Sequence, residues 1–288
     1  MFFDKIILKK GVRKMIKRYQ TPEMARIWDE NRKFDLWLRI ELAVLEARAK
    51  LGQLPSAVVD RIKAKAKFDV ARIEEIELET DHDLLAFVQA VRENLDAYDR
   101  HHFHWGMTSY DTEEIPTNLR LIEAIDVLFT AMDGLEKVLR QQAQTHKKTL
   151  MIGRTHGQQA EPITFGFKLL GWLAALERDM VRLHAAKQVV SVGKISGAVG
   201  TYGDLDPEIE KEVCRFLGLQ PADHATQILH RDRIAQVMTA LAVMAGNIEH
   251  VALDFRLMAQ TEICEVREPF GCKQKGSSRM PHKKNTIL

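Results

Sequence analysis

An all-α fold, with a small N-terminal helical domain followed by a long-helix bundle, is what this sequence predicts, and three observations carry it. Apolar residues recur at helical spacing over stretches near 116–149, 162–191 and 231–263. Helices of about 30 residues span roughly 45 Å, against a usual length of about 11 or 12 residues, and such lengths imply a bundle. Shorter periodic stretches nearer the N-terminus carry helix start signals, and strand-like alternation is scarce.

Taken in order, residues 1–14 (MFFDKIILKKGVRK) hold a short apolar patch followed by basic residues. The patch is too short for a membrane span and lacks a signal-peptide layout. Codons open to Lys10-Gly11-Val12 include a ribosome-binding sequence at a suitable distance from Met15, so 1–14 is expected to be a translated leader. The N-terminal domain is expected over 15–111. Thr21, Pro22 and Glu23 read as an N-cap, a first-turn proline and a dipole-matched acid. Ile27, Phe34, Leu38, Leu42 and Leu45 then share a face until Gly52 and Pro55 end the helix. Shorter helices follow near 56–66 and 69–79, and another near 82–100 carries Leu84, Leu85, Phe87, Val88 and Val91. Residues 112–288 are expected to form the bundle, incomplete in this chain.

Composition excludes some classes of function. The 288 residues carry 42 basic and 40 acidic side chains, interspersed, for a net charge of +2, which argues against nucleic acid as a partner. Cys214, Cys264 and Cys272 form no CxxC pair and leave an odd thiol, which fits a reduced, cytoplasmic compartment.

Four polar loops adjoin the long helices: TDHD (80–83), HWGMTSYD (104–111), GRTHGQQ (153–159) and GSS (276–278). His156 lies between glycines that permit unusual backbone angles, and it can transfer protons near neutral pH if an acid such as Glu161 orients it. The plainer alternative is a turn with a solvated histidine. His82 and His104, taken singly, read as structural or surface histidines. Asp81, His82 and Asp83 complete no helical metal-ligand spacing, so no metal is expected. In the terminal loop Lys273, Lys275, Arg279, His282, Lys283 and Lys284 surround Gly276, Ser277 and Ser278. Cations, hydroxyls and backbone N–H groups gathered in this way suit a polyanionic small molecule. A mobile basic loop is the alternative, against which Met280-Pro281 and Asn285 stand.

GSSRMPHKKN (276–285) resembles the G-S-S-x-M-P-x-K-x-N signature of the fumarase/aspartase superfamily, whose members release fumarate from succinyl adducts. RYQTPEMARIW (18–28), TDHDLLAF (80–87), WGMTS (105–109), GRTHGQ (153–158), KISGAVGT (194–201), QILHRDR (227–233) and EVREPFG (265–271) resemble, in order, the adenylosuccinate lyase branch. The resemblance implies elimination of fumarate from adenylosuccinate, giving AMP, and from the succinylated aminoimidazole carboxamide ribotide of purine synthesis. No cofactor is implied.

By the same resemblance, His156 matches the general acid and Ser277 the general base. Lys283 and Asn285 match residues that hold the succinyl carboxylates and the carbanion. Arg18, Tyr19, His82, Asp83, His104, Thr108, Ser109 and Gln227 match substrate-binding positions, with Arg18, Tyr19 and His104 on the phosphate side. A serine serves as a base only if its alkoxide is stabilised in a closed site, so loop closure is expected to be part of the mechanism. Tyr110 and Thr286 depart from the family pattern, which has a small residue and a proline there.

The resemblance further implies a homotetramer with active sites shared between subunits, and no membrane partner. Family members continue past the equivalent of Leu288, so this chain is expected to be a fragment with apolar faces uncovered and little activity alone. Another fumarate-releasing lyase or a cycloisomerase of the superfamily is the alternative activity. A catalytically inactive helical fragment is the alternative of a different class.

Overall fold

The computed structural model describes residues 16 and 19–285; the expected leader, Met15, Arg18 and Thr286 lie outside the described residues. The chain is 61% helix and 6% strand, in keeping with the all-α expectation. Its helices are α1 (Pro22–Ile27), α2 (Glu30–Lys50), α3 (Ser56–Lys65), α4 (Val70–Thr80), α5 (Asp83–Arg92), α6 (Ser109–Thr145), α7 (Phe165–Val190), α8 (Pro207–Leu217) and α9 (Asp232–Met258). An antiparallel pair, β1 (Leu150–Thr155) and β2 (Gln158–Thr164), separates α6 from α7. A two-residue parallel bridge joins β3 (Val192–Gly193) to β4 (Gln220–Pro221).

The described residues fall into two compact units, one of those up to 127 with 191–229, the other of 128–190 with 230–285. This division differs from the expected boundary between 111 and 112, because α6 runs continuously through it and 191–229 returns to the first unit.

In the first unit α2 is buried on two faces. Phe34, Trp37 and Leu45 pack with residues of α3, α4 and α5 around Phe87, whose ring lies 5.8 Å from Phe34 in a stack and 5.5 Å from Trp37 edge-on. Ile40, Ala43, Val44 and Ala47 pack instead with Ile115 of α6 and with Ile209, Val213 and Cys214 of α8. The single helix expected after Thr21 is two. Thr21 does cap the first, but Asp29 restarts the chain by accepting the N–H of Asn31 at 2.9 Å. Helix α8 was not expected, although Asp206, Pro207 and Gly218 mark its two ends. Burial pushes the Cys214 thiol up to about 12, so this cysteine is an inert core residue, while Cys264 and Cys272 are exposed.

The segment 191–229 is fastened to the start of α6 by a buried ion pair. Lys194 Nζ lies 2.7 Å from Asp111 Oδ1, and both side chains are fully buried. The same carboxylate accepts the backbone N–H groups of Ser196 at 3.0 Å and Gly197 at 3.2 Å, and that of Thr108 at 2.9 Å. Lys194 also donates to the carbonyl of Gln227 at 2.8 Å. Beside it, Glu210 accepts from Ile195 N–H at 2.8 Å and from the Tyr202 hydroxyl at 3.0 Å.

The second unit is built on α7 and α9. Buried Asp179 accepts both bonds of the Asn247 amide, at 3.0 and 2.8 Å, and also pairs with Arg182. Asp254 receives Lys168 at 2.8 Å and the Trp172 indole at 3.3 Å. Helix α9 is long and apolar enough to cross a membrane by length and composition. Its Arg233, Asn247 and Asp254, however, are engaged by α7, as in a bundle helix. Met238, Val243, Ile248, Leu253, Phe255 and Leu257 of α9 remain between 41% and 48% exposed, apolar surface spread around the helix within this unit. Gly166 has no room for a side chain, since a Cβ would come within 2.4 Å of the Ala143 carbonyl. The close approach of α7 to the end of α6 requires it.

Replacing Lys194 with Met, which leaves Asp111 charged and buried, is expected to cost roughly 3–5 kcal/mol in denaturant unfolding. Adding Asp111→Asn, which keeps an acceptor for the backbone N–H groups, should recover part of that loss. A single-variant cost under about 1 kcal/mol would contradict the role given to this pair.

Candidate active site

The catalytic candidates belong to the second unit. His156 and Gly157 form the two-residue turn between β1 and β2, with φ of +55° and +74° and Thr155 paired to Gln158. Two positive φ values in succession define a type I′ turn, the kind whose twist suits a tight hairpin. The histidine is thereby displayed at an exposed tip. Glu161 does not orient it. No hydrogen bond joins the two side chains among the described residues, and Glu161 lies about 10 Å further along an extended strand. The hairpin was missed because β1 opens on a run of three apolar residues and β2 is polar and largely exposed, so neither shows apolar alternation.

Two residues before His156, Arg154 makes a bidentate bridge to Glu265 at 2.9 and 3.0 Å. Glu265 opens the segment that leads to the terminal loop, so both catalytic candidates stand on segments tied within one unit. In that loop Ser277 Oγ accepts the backbone N–H groups of Met280 at 3.1 Å and Arg279 at 3.3 Å. Donors aimed at the hydroxyl oxygen favour its deprotonated form, which is what a serine base requires. Gly276 is buried where a Cβ would come within 2.4 Å of the Lys283 carbonyl and 2.9 Å of Asn285 N. The loop therefore folds back on itself and brings the backbone of Lys283 and Asn285 against the residue next to Ser277. Lys283 is exposed and Asn285 half-buried.

The other candidates belong to the first unit. Thr108, Ser109 and Gln227 meet at the start of α6, where Gln227 Nε2 donates to Thr108 Oγ1 at 3.4 Å. Thr108 and Asp111 form a capping box, T-x-x-D, with Asp111 reaching back to the Thr108 N–H. Free N–H groups at the start of a long helix attract anions.

His104 lies four residues before Thr108 with φ of +62°, a strained angle for a side chain of its size. Its Nδ1 is 2.7 Å from Glu41 Oε1. Burial alone would lower the imidazole's affinity for a proton. The charge of Glu41 and its hydrogen bond more than offset this, and the His104 pKa is raised above the ordinary histidine value.

His82 and Asp83 start α5. Leu85 N–H donates to His82 Nδ1 at 3.4 Å and Leu84 N–H to Asp83 Oδ1 at 2.8 Å. The TDHD loop is thus a helix-to-helix turn with Asp81 in the left-handed region at φ +51°. Tyr19 is 74% exposed ahead of α1, and its expected partner Arg18 lies outside the described residues. Among the described residues no three His, Cys, Asp or Glu side chains are grouped to hold a metal ion.

Sequence reasoning missed Glu41, Asp111 and Lys194 as supports of these positions. The T-x-x-D spacing signalled Asp111, whereas nothing local marks Glu41 or Lys194, which act across long separations.

A family model described as a lyase matches residues 16–287. Over 273 residues, 95% of this chain, the sequence is 47% identical to the adenylosuccinate lyase of Synechocystis sp.. Over the same span it is 44% identical to that of Bacillus subtilis and 43% to that of Thermotoga maritima. The chain spans 63% of the length of these relatives. A solved fumarate lyase from Mesorhizobium sp. BNC1 superposes with a TM-score of 0.78 at 27% identity, covering 83% of this chain and 58% of that one. The 3-carboxy-cis,cis-muconate lactonizing enzyme of Pseudomonas putida gives 0.83 at 27% identity, covering 89% and 60%. A match over nearly its whole length, with the same fold, makes this chain a member of the lyase family.

Proposed function

We propose that this chain serves adenylosuccinate lyase chemistry, with its sites completed in a cytoplasmic homotetramer. The observation that carries the reading is the likeness to adenylosuccinate lyases over nearly the whole chain, in a match that contains all four polar loops. In the proposed reaction the Ser277 alkoxide takes the proton from the succinyl Cβ. The electron pair left behind spreads into the adjacent carboxylate as an aci-carboxylate, held by Lys283 and Asn285. That pair then forms the C=C bond as the C–N bond breaks. His156 gives its proton to the departing nitrogen, leaving fumarate and AMP.

The same steps release fumarate from the succinylated carboxamide ribotide. The amides of Arg279 and Met280 on Ser277 Oγ support the base role, because they favour the alkoxide without another catalytic base. Tyr19, His82, Asp83, His104, Thr108, Ser109 and Gln227, with Arg18, are assigned to the nucleotide. No cofactor enters. The half-exposed apolar side chains around α9 support self-association.

A second reading is another fumarate-releasing lyase or a cycloisomerase of the superfamily, favoured by the likeness to the solved fumarate lyase and muconate lactonizing enzyme. A phosphate-free substrate such as argininosuccinate or fumarate distinguishes the two when it is assayed beside adenylosuccinate.

Four outcomes test the leading reading. In protein of the relatives' full length, His156→Gln is expected to lower adenylosuccinate turnover, followed by absorbance, by about 10²–10⁴-fold, and Ser277→Ala by at least as much. With the His156 and Ser277 loops of each site assigned to different subunits, mixing the two inactive variants under dissociating conditions and reassembling them should restore measurable activity, and its absence would refute that sharing. Gly276→Ala is expected to cost about 10²-fold in turnover with little change in unfolding temperature, because the added Cβ displaces the loop rather than the bundle. AMP at about 100 times its dissociation constant should by itself stabilise the protein by about 2.7 kcal/mol, and no stabilisation by AMP with fumarate would point to the inactive-fragment alternative.

A further inference from the structure

His104 is held by a residue that the family match does not single out. Glu41, on α2, is 1% exposed, and its Oε1 accepts the Thr112 hydroxyl at 2.6 Å as well as pairing with His104 Nδ1 at 2.7 Å. Its other oxygen, Oε2, is buried without a hydrogen-bond partner. A carboxylate with one bare oxygen in a dry setting carries uncompensated charge, and a neighbouring proton is its nearest relief. The His104 ring is almost covered, with a side-chain exposure of 12%. Its Nδ1 is engaged with Glu41, while Nε2 has no partner among the described residues and is not among the buried orphan atoms.

We propose that Glu41 is a positioning residue: by accepting the Nδ1 proton it fixes the orientation and protonation pattern of His104, so that Nε2–H is presented as a cationic donor to an anionic group of the ligand. This rests on the assignment of His104 to the phosphate side of the nucleotide. Thr112, on the first turn of α6, donates to the same carboxylate oxygen and so links the ring to the helix that carries Thr108 and Ser109.

The charged groups facing the ring come from three elements. Glu41 on α2 and Asp111 on α6 favour the imidazolium, while Arg92 on α5 and burial oppose it. Asp111 is itself paired with Lys194, which leaves Glu41 as the dominant favourable neighbour.

The sign of the pH effect follows. Because the folded-state value is raised, the pair's contribution to stability is full below the pKa of an unfolded-chain histidine and is lost as pH rises through the raised value. Nε2 stops donating over the same range, so affinity for an anion falls there too.

The test is a titration of the imidazole nitrogens by proton–nitrogen correlation spectra, with His104 assigned by its loss in His104→Gln. In the unaltered protein Nδ1 is expected to remain protonated at every pH, and only Nε2 to titrate, with a midpoint above the ordinary histidine value. In Glu41→Gln the midpoint should fall below that value, and Glu41→Asp should restore part of the rise. AMP affinity, measured by calorimetry, should decline with rising pH along the His104 titration, at lower pH in Glu41→Gln than in the unaltered protein.

A ring protonated at Nε2 with Nδ1 as acceptor, or a midpoint unmoved in Glu41→Gln, overturns the proposal. Should Glu41→Gln fail to fold, Thr112→Val decides, since it keeps the carboxylate and removes its other donor: a midpoint held or raised supports the proposal, and a fall overturns it. AMP that fails to bind a protein whose His104 titrates as described counts against the nucleotide assignment alone.

Discussion

The buried pair of Asp111 and Lys194 is the interaction on which the first unit depends. A charge taken out of water is tolerable only when it is matched, and Asp111 is matched by an ammonium and three backbone N–H groups. Those partners lie on both sides of a long excursion through α6, the hairpin and α7. The carboxylate is thus a register mark that brings the 191–229 segment back to the start of α6. Gln227 reaches Thr108 because Lys194 holds the Gln227 carbonyl. A hydrophobic contact would close the same gap without specifying the register, since burial is non-directional.

The second unit meets a different constraint, the close approach of backbone to backbone. Gly276 lies against Lys283 and Asn285, and Gly166 lies against the end of α6, at distances that admit no Cβ. Tight approach in the terminal loop aims two amides at one hydroxyl, and these amides are the chemical reason a serine can be considered as a base at all. The bidentate contact of Arg154 with Glu265 gives the His156 hairpin a directional tie to the segment that precedes this loop.

The histidines of the candidate site illustrate how environment divides one residue type into several roles. His82 uses Nδ1 as an acceptor to cap α5, His104 is drawn into a carboxylate pair under cover, and His156 stands exposed on a turn. Only the last matches what glycine spacing alone suggests. For the other two, the hydrogen-bond partners belong to the local helix start in one case and to α2 in the other.

Much of the helical layout was legible in the sequence. Expected stretches near 116–149, 162–191 and 231–263 correspond to α6, α7 and α9, because long amphipathic periodicity is a local property that packing preserves. The break at Trp28–Asp29, helix α8 with its Asp-Pro start and the T-x-x-D box at 108–111 were also written in local signals and were passed over. The hairpin was not legible, since neither the apolar run that opens β1 nor the polar, exposed β2 alternates, and its I′ turn becomes apparent only from two positive φ values.

The residue types and spacing of the loops pointed to an anionic ligand and a proton-transferring histidine from the sequence by itself. Only the tertiary structure decided which distant groups support them: Glu41 for His104, Lys194 for Asp111, Glu265 for Arg154. The physical reason is range. Caps and periodicity act within a few residues along the chain, whereas desolvated charge selects its partner through space, and sequence separation carries no trace of that choice.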